Sequence, residues 1–278
     1  VMDLCRCLLE AGADRSSFLL VIGGGALTDA AGMAASIFMR GIGFGFVPTT
    51  LLSQVDASVG GKNGVNFGGV KNVIGTINQP DFVLCDTAFI DTITDAEYLS
   101  GFAEIIKHAL IRDRKKFRRI AQSREQLRKR NAPQLLGDLI ARSVEIKAAI
   151  VRKDETEQGP RRLLNFGHTV GHAAEVLDAL PHGVAVGVGM RYAARISCAL
   201  GALKADARDA IEDLLDAFGY PVTIQASPDH VMDVLMRDKK KSGSTMNFVI
   251  LNGIGSAEVR PIPVDTLRGL VNDLRMRI

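Results

Sequence analysis

A continuous apolar run, Phe18-Leu-Leu-Val-Ile22, stops at three consecutive glycines, Gly23, Gly24 and Gly25, and passes at once into an alanine- and methionine-rich stretch reaching about Met39. Five apolar residues with no polar alternation read as a buried parallel strand. The glycines permit a tight turn, and the helix after them brings its amino end to the carboxyl end of the strand, where backbone N–H groups can meet a phosphate. Strand, glycine turn and helix together confine the first part of the chain to an α/β fold with a parallel, Rossmann-like sheet. The spacing departs from the usual dinucleotide fingerprint, because Thr28 stands where a third glycine would be.

A helix over residues 1–12, closing at Gly12, leads into this unit, and Gly43-Phe-Gly-Phe-Val-Pro48 and Phe82-Val-Leu-Cys-Asp86 read as further strands. Thr49 and Thr50 follow the second of them, at the strand end where α/β sheets bind ligands. Residues 53–79 carry Asp56, Lys62, Asn63, Asn66, Lys71 and Asn72 among glycines, and read as a polar loop whose lysines suit phosphate or carboxylate binding. From about residue 94 the pattern turns helical, with helices expected from Asp95, over 132–153, 165–179, 184–201 and 205–218, the last closing at Gly219. Two short strands, Asn247–Leu251 and Ala257–Arg260, and a helix over 264–276 complete the chain. The expected division is a nucleotide-binding α/β domain over 1–92 and a mostly helical domain over 93–278.

Three of the five histidines fall in one stretch, His168, His172 and His182. The first two are four apart on a helical segment and therefore share a face, so that one divalent ion could bridge them; His182, beyond the break at Pro181, could fold back to the same place. Capping or core roles are the plain alternative for each imidazole. Glu104, Lys107 and His108 also share one helical face, and their neighbours Phe102, Ala103, Ile105 and Ile106 are apolar, which predicts a largely buried helix.

Composition sets the outer limits. The chain has 278 residues, 47% apolar and 23% charged, enough for one large or two modest cores. A net charge of +3 gives no case for nucleic acid, and the basic tract Arg112–Arg119 reads as a solvated helix face. No apolar run has the length of a membrane span. Cys5, Cys7, Cys85 and Cys198 form neither a disulfide framework nor a zinc knuckle, which fits a reducing cytoplasm.

Ordered motifs run through nearly the whole chain: Gly23-Gly-Gly-Ala-Leu-Thr-Asp29, Arg40-Gly41, Pro48 to Lys62, Val70-Lys-Asn-Val-Ile-Gly75, Gly101 to Lys107, Arg161 to Glu175, Pro181-His-Gly183 and Asp238-Lys-Lys240. In these the chain resembles the 3-dehydroquinate synthases of the sugar-phosphate cyclase superfamily. The resemblance implies an NAD-binding α/β domain followed by a helical domain, with a divalent metal, zinc or cobalt, held by Glu104, His168 and His182. That set differs from the His168–His172 pairing that spacing alone suggests, and leaves His172 to the substrate phosphate. The implied reaction turns 3-deoxy-arabino-heptulosonate 7-phosphate into 3-dehydroquinate and phosphate by oxidation, elimination, reduction and aldol closure.

Further roles follow from the resemblance residue by residue. Gly25, Ala26, Leu27, Thr28, Asp29, Thr49, Thr50, Lys62, Lys71, Phe89, Ile90, Asp91 and Thr92 match the NAD region. Lys62, Asn72, Asn165, His172 and one of Lys239 and Lys240 match the phosphate region, with Arg40 reaching in from the second subunit of a homodimer. Arg161 and Lys147 match the carboxylate end, Lys107 the ring hydroxyls, and Asp56 belongs to the substrate-binding set. Val184 stands where the family usually has glutamate. The family also carries strands ahead of the position matching Val1, so the resemblance implies a chain incomplete at its front. Three rivals remain: another cyclase such as 2-epi-5-epi-valiolone synthase, whose substrate lacks the carboxylate; a glycerol-dehydrogenase-like oxidoreductase; and an inactive truncated relative serving as a dimerisation module.

Overall fold

In the computed structural model, which describes residues 1–237, 241–242 and 244–276, the first elements are α1 (Met2–Glu10), β1 (Phe18–Gly23), α2 (Gly25–Ile37), β2 (Gly43–Pro48), β3 (Lys62–Phe67), β4 (Val70–Ile77) and β5 (Phe82–Val83). There follow α3 (Asp95–Arg112), α4 (Arg114–Gln122), α5 (Arg124–Arg128), α6 (Pro133–Val151), α7 (His168–Leu177), α8 (His182–Ala199), α9 (Ala205–Phe218) and α10 (Pro228–Arg237). The chain ends in β6 (Lys241–Ser242), β7 (Thr245–Gly253), β8 (Ser256–Pro263) and α11 (Val264–Met276). Contacts divide it into two units, Val1–Gly101 with Ile140–Thr156, and Phe102–Leu139 with Glu157–Ile278. No helix among the described residues is long and apolar enough to cross a membrane.

The first unit is built on a parallel sheet in the order β1-β2-β5. Pairing runs from Phe18 opposite Gly43 to Gly23 opposite Pro48, and from Gly45 opposite Phe82. The Gly-Phe-Gly-Phe alternation of β2 has a packing reason. Phe44 and Phe46 enter one core with Val21, Ala31, Ala35, Phe38 and Ile42, their rings 5.3 Å apart. On the opposite face Phe18 and Phe82 stack 5.8 Å apart over the strand's glycines, and a Cβ on Gly45 would lie 2.7 Å from the Phe82 ring. Strand β1, read as buried, is covered on one face among the described residues. Side chains alternate along a strand, and α2 packs on the face that carries Val21, which is buried, while Phe18, Leu20 and Ile22 are 49%, 50% and 54% exposed.

The polar loop expected over 53–79 is corrected. Residues Ser53–Ala57 form a short π-helical turn, and β3 and β4 form an antiparallel hairpin. Gly68 and Gly69, with φ of 57° and 77°, make its two-residue turn, a backbone conformation open to glycine and suited to the twist of paired strands. Val65, Phe67, Val70, Val73, Ile74 and Ile77 supply strand propensity that the intervening asparagines and lysines mask. The expected strand over 82–86 shortens to Phe82–Val83, because Asp86 turns to cap a 3-10 turn over Thr87–Thr92, accepting from Ala88 N at 2.9 Å.

In the second unit every residue of α3 from Phe102 to Ile111 is buried, and the Phe102 ring stacks on Phe218 of α9 at 4.4 Å. Gly255 N, in the β7–β8 turn, donates to Leu110 O at 2.8 Å and satisfies a carbonyl at the end of α3. The predicted solvated face of α4 is real at Arg114, Lys115, Arg118 and Arg119, while Lys116, Phe117 and Ile120 turn inward. Helix α10 is an element the apolar spacing did not announce.

Helices α7 and α8 pack backbone against backbone at their glycines. A Cβ on Gly189 would stand 1.8 Å from Gly167 O and 2.7 Å from Gly171 N; one on Gly171 would stand 3.0 Å from Ala185 O. Gly167 itself has φ of 81°, in the left-handed region, at the amino end of α7. Arg191, buried further along α8, reaches Asp216 and Glu212 of α9 at 2.5 and 3.4 Å and ties the pair to its neighbour. Gly189→Ala is therefore expected to destabilise the fold by at least about 1–3 kcal/mol, since two backbones must separate. Gly137→Ala, in α6 with open space where its Cβ would go, should instead stabilise by about 0.5–1 kcal/mol. Urea midpoints of both variants check this; a Gly189→Ala midpoint equal to the wild type's would show that the crossing tolerates a methyl group.

Candidate functional site

The α7–α8 crossing places His168 and His182, each the first residue of its helix, on either side of Glu104 from α3. His168 Nε2 lies 3.6 Å, and His182 Nε2 3.9 Å, from the same atom, Glu104 Oε1. Glu104 is fully buried, His168 nearly so, and His182 is about a third exposed. Lys107, one helical turn from Glu104 and equally buried, is ion-paired to Glu104 Oε2. A carboxylate and an ammonium taken out of water carry a desolvation cost that one mutual contact rarely offsets, so a buried group of this kind marks a site more than a stabilising bridge.

These residues fit a divalent metal. Glu104, His168 and His182 each offer one atom in a cluster within 4.8 Å, and three donors each about 2.1 Å from one ion would stand about 3.4 Å apart. Two imidazole nitrogens and one carboxylate oxygen suit zinc or cobalt, and three protein ligands leave coordination positions open. The tautomer is set where it must be, since His168 Nδ1 faces Phe166 O at 3.2 Å and leaves Nε2 for the cluster. The bridge between His168 and His172 drawn from spacing is not the one formed. His172 lies edge-on to His168 with centroids 5.6 Å apart, but the donor set closes through His182, whose ring is 5.4 Å away.

Other predicted residues of this unit lie on the approach to α7. Arg161 is buried within the 3-10 segment Pro160–Asn165, and Asn165 Nδ2 donates to Glu157 Oε1 at 2.5 Å. Lys239 and Lys240 lie outside the described residues. Sequence reasoning missed Glu175, whose Oε2 is 3.6 Å from His182 Nδ1; its place two helical turns after His168, on the same face, was the available signal. The Phe166 carbonyl carries no side-chain signal at all.

In the first unit the carboxyl ends of β1 and β2 lie together. Thr49 N donates to Gly23 O at 2.9 Å, and the Thr50 methyl faces Gly24, where a Cβ would come within 3.2 Å. Gln54 Nε2 donates to Pro48 O and Asp86 O at 3.1 and 2.7 Å, joining the ends of β2 and β5. Thr28 is buried with Oγ1 donating to Gly25 O at 3.0 Å, so its side chain turns back into the helix, while Ala26 and Leu27 are exposed. Lys62, Lys71 and Asn72 stand exposed on the hairpin, Asn72 with φ of 47°. Of the segment Phe89–Thr92, Ile90 is buried while Asp91 and Thr92 are exposed; Arg40 is exposed with φ of 71°. Lys147 Nζ meets Asp56 Oδ1 at 2.6 Å, and Asp29 belongs to the same charge cluster.

Burial raises the Asp29 carboxyl to about 6, with Asp56 adding to the rise and Lys147 opposing it. Against an ordinary value of 3.8, the folded chain thus keeps a proton that the unfolded chain has released. That contribution to stability is complete below about pH 4 and is lost as pH rises through 6, a change on the order of 1 kcal/mol once solvent screening is allowed for. Asp29→Asn, which does not titrate, should gain on the wild type by that amount between pH 4.5 and 7.5 in urea melts. A gap that stays constant with pH would refute the raised value.

Comparison with known proteins identifies the family. Profiles described as 3-dehydroquinate synthase N-terminal and 3-dehydroquinate synthase C-terminal match residues 1–100 and 101–241. The chain is 40% identical over 264 residues to the 3-dehydroquinate synthase of Geotalea uraniireducens (strain Rf4), covering 94% of this chain and 73% of that one. Among solved structures it is similar to 2-epi-5-epi-valiolone synthase from Streptomyces hygroscopicus subsp. jinggangensis 5008 with NAD+ and Zn2+ bound, with a TM-score of 0.91 and 27% identity over 100% of this chain and 80% of that one. It is also similar to 2-deoxy-scyllo-inosose synthase complexed with carbaglucose-6-phosphate, NAD+ and Co2+, with a TM-score of 0.89 and 25% identity over 98% and 78%. With both halves matched in order and the identity sustained over nearly its whole length, the chain belongs to the 3-dehydroquinate synthase family.

Proposed function

We propose that this chain is a 3-dehydroquinate synthase, closing 3-deoxy-arabino-heptulosonate 7-phosphate to 3-dehydroquinate with loss of phosphate. The observation that carries the reading is the convergence of Glu104, His168 and His182 in a chain matched by the family from residue 1 to residue 241. In reaction class this is a phosphate-eliminating carbon–oxygen lyase of the shikimate pathway, and NAD with zinc or cobalt are its cofactors. When bound, the dinucleotide supplies a reversible hydride acceptor for a ring alcohol and the ion supplies Lewis-acid polarisation of oxygens.

The chain's own residues bind and orient the substrate. Glu104, His168 and His182 hold the ion, and Lys107, kept in place against Glu104, donates to the ring hydroxyls. Arg161, buried and always charged, is a preorganised partner for the substrate carboxylate, joined by Lys147. Lys62, Asn72, Asn165, His172 and one of Lys239 and Lys240 donate to the phosphate, with Arg40 supplied by the partner subunit of a homodimer. Asn165 must then exchange the Glu157 carboxylate for a phosphate oxygen. The nucleotide is held by the Gly25–Asp29 turn, Thr49, Thr50, Lys62, Lys71 and the segment 89–92, within a domain spanning 1–92. Residues 93–278 take the metal and, together with Arg40, Asp56, Lys62 and Asn72 of the first domain, the substrate, and the working location is the cytoplasm.

Phosphate release from heptulosonate phosphate, with NAD+ and zinc or cobalt supplied, tests this directly. Loss of several kcal/mol of Lewis-acid stabilisation should make Glu104→Ala slower by about 10²- to 10⁴-fold. Release that survives the substitution removes the metal assignment. Release from sedoheptulose 7-phosphate in preference would point to valiolone-type cyclisation, and no release from either sugar would favour an inert module.

A further inference from the structure

The three ligands are not held equally. Glu104 is buried in α3, and His168 has its Nδ1 fixed by the Phe166 carbonyl, a backbone atom that no side-chain change can remove. His182 is the most exposed of the three and opens α8 directly after Pro181. Its ring faces Glu104 through Nε2 at 3.9 Å and Glu175 through Nδ1 at 3.6 Å, so acids lie on both sides of one imidazole. Val184, two residues on along α8, brings no carboxylate.

Glu175 comes from α7, two turns beyond His168 on the same helical face, and its side chain is 15% exposed. The helix that carries one ligand thus also carries the acid that faces the other. At 3.6 Å the contact is an ion-pair approach, longer than a formed hydrogen bond. A carboxylate at Nδ1 favours the proton there, leaves the Nε2 lone pair free for a cation, and raises its basicity. We propose that Glu175 is the positioning residue for His182, supplying by side chain what the Phe166 carbonyl supplies to His168. This rests on the reading that Glu104, His168 and His182 hold a divalent ion.

The test measures metal affinity and needs no turnover. The metal-free chain is titrated with Co2+ or Zn2+ against a chromogenic chelator, and the visible absorption of the cobalt form is recorded. Glu175→Gln keeps an acceptor oxygen and loses the charge, and should weaken binding about 10-fold; Glu175→Ala loses both, and should weaken it up to about 100-fold with a shifted cobalt band. Glu175→Asp should recover part of the loss, and the metal-free melting temperature of Glu175→Gln should match the wild type's, which separates positioning from folding. His182→Ala is the control that should lose the ion. Wild-type affinity in Glu175→Gln and Glu175→Ala, with His182→Ala impaired, overturns the role of Glu175 and leaves the metal site standing. Failure of the wild type itself to bind one ion overturns both.

Discussion

The second unit depends on the contact of two helix backbones with nothing between them. Gly189 has no room for a methyl group against Gly167 O, and Gly171 has little against Ala185 O. Glycine weakens an isolated helix, so its repeated use along α7 and α8 makes sense through what the close approach permits. The amino ends of both helices, where His168 and His182 stand, come within reach of one carboxylate. A wider separation at the crossing would carry the imidazoles apart and leave Glu104 buried with Lys107 for company. The crossing therefore sets the geometry of the cluster as well as the packing of the unit.

Burial gives the cluster its character. Around Glu104 the whole of α3 from Phe102 to Ile111 is out of contact with water. In such surroundings electrostatic interactions strengthen, and groups that water would leave mobile become fixed. Lys107 and Arg161 share this condition, each a cation held out of water. The more exposed residues of the proposed site, Lys62, Lys71 and Asn72, sit on a hairpin, and their contribution is one of charge more than fixed geometry.

The first unit uses glycine for a different end. Gly43 and Gly45 let two aromatic rings lie over β2, and Gly23 to Gly25 let the end of β1 approach Thr49 and Thr50. The sequence showed the second use through three adjacent glycines after an apolar run. The first was hidden, because Gly-Phe-Gly-Phe reads as an ordinary apolar strand until the neighbouring strands are known. The hairpin of β3 and β4 is hidden for another reason: its glycines and amides outnumber its apolar residues, so the Gly68-Gly69 turn looks like part of a loop. Which face of β1 is covered is not legible either, because one-sided and two-sided burial leave the same apolar run.

The sequence by itself determined the chemistry on offer. It fixed which residues are imidazoles, carboxylates and ammoniums, placed His168 with His172 and Glu104 with Lys107 on shared helical faces by the 3.6-residue period, and through its ordered motifs pointed to the family. Spacing did not say which of those groups meet; the resemblance named Glu104, His168 and His182, and the tertiary structure shows how they come together. His182 joins the cluster because the chain reverses between α7 and α8, through Ala179 with φ of 51° and Asp178 accepting from Gln225 N at 2.7 Å. Helical periodicity predicts neighbours within one helix, whereas the partner of a side chain across a reversal is set by where two backbones can touch.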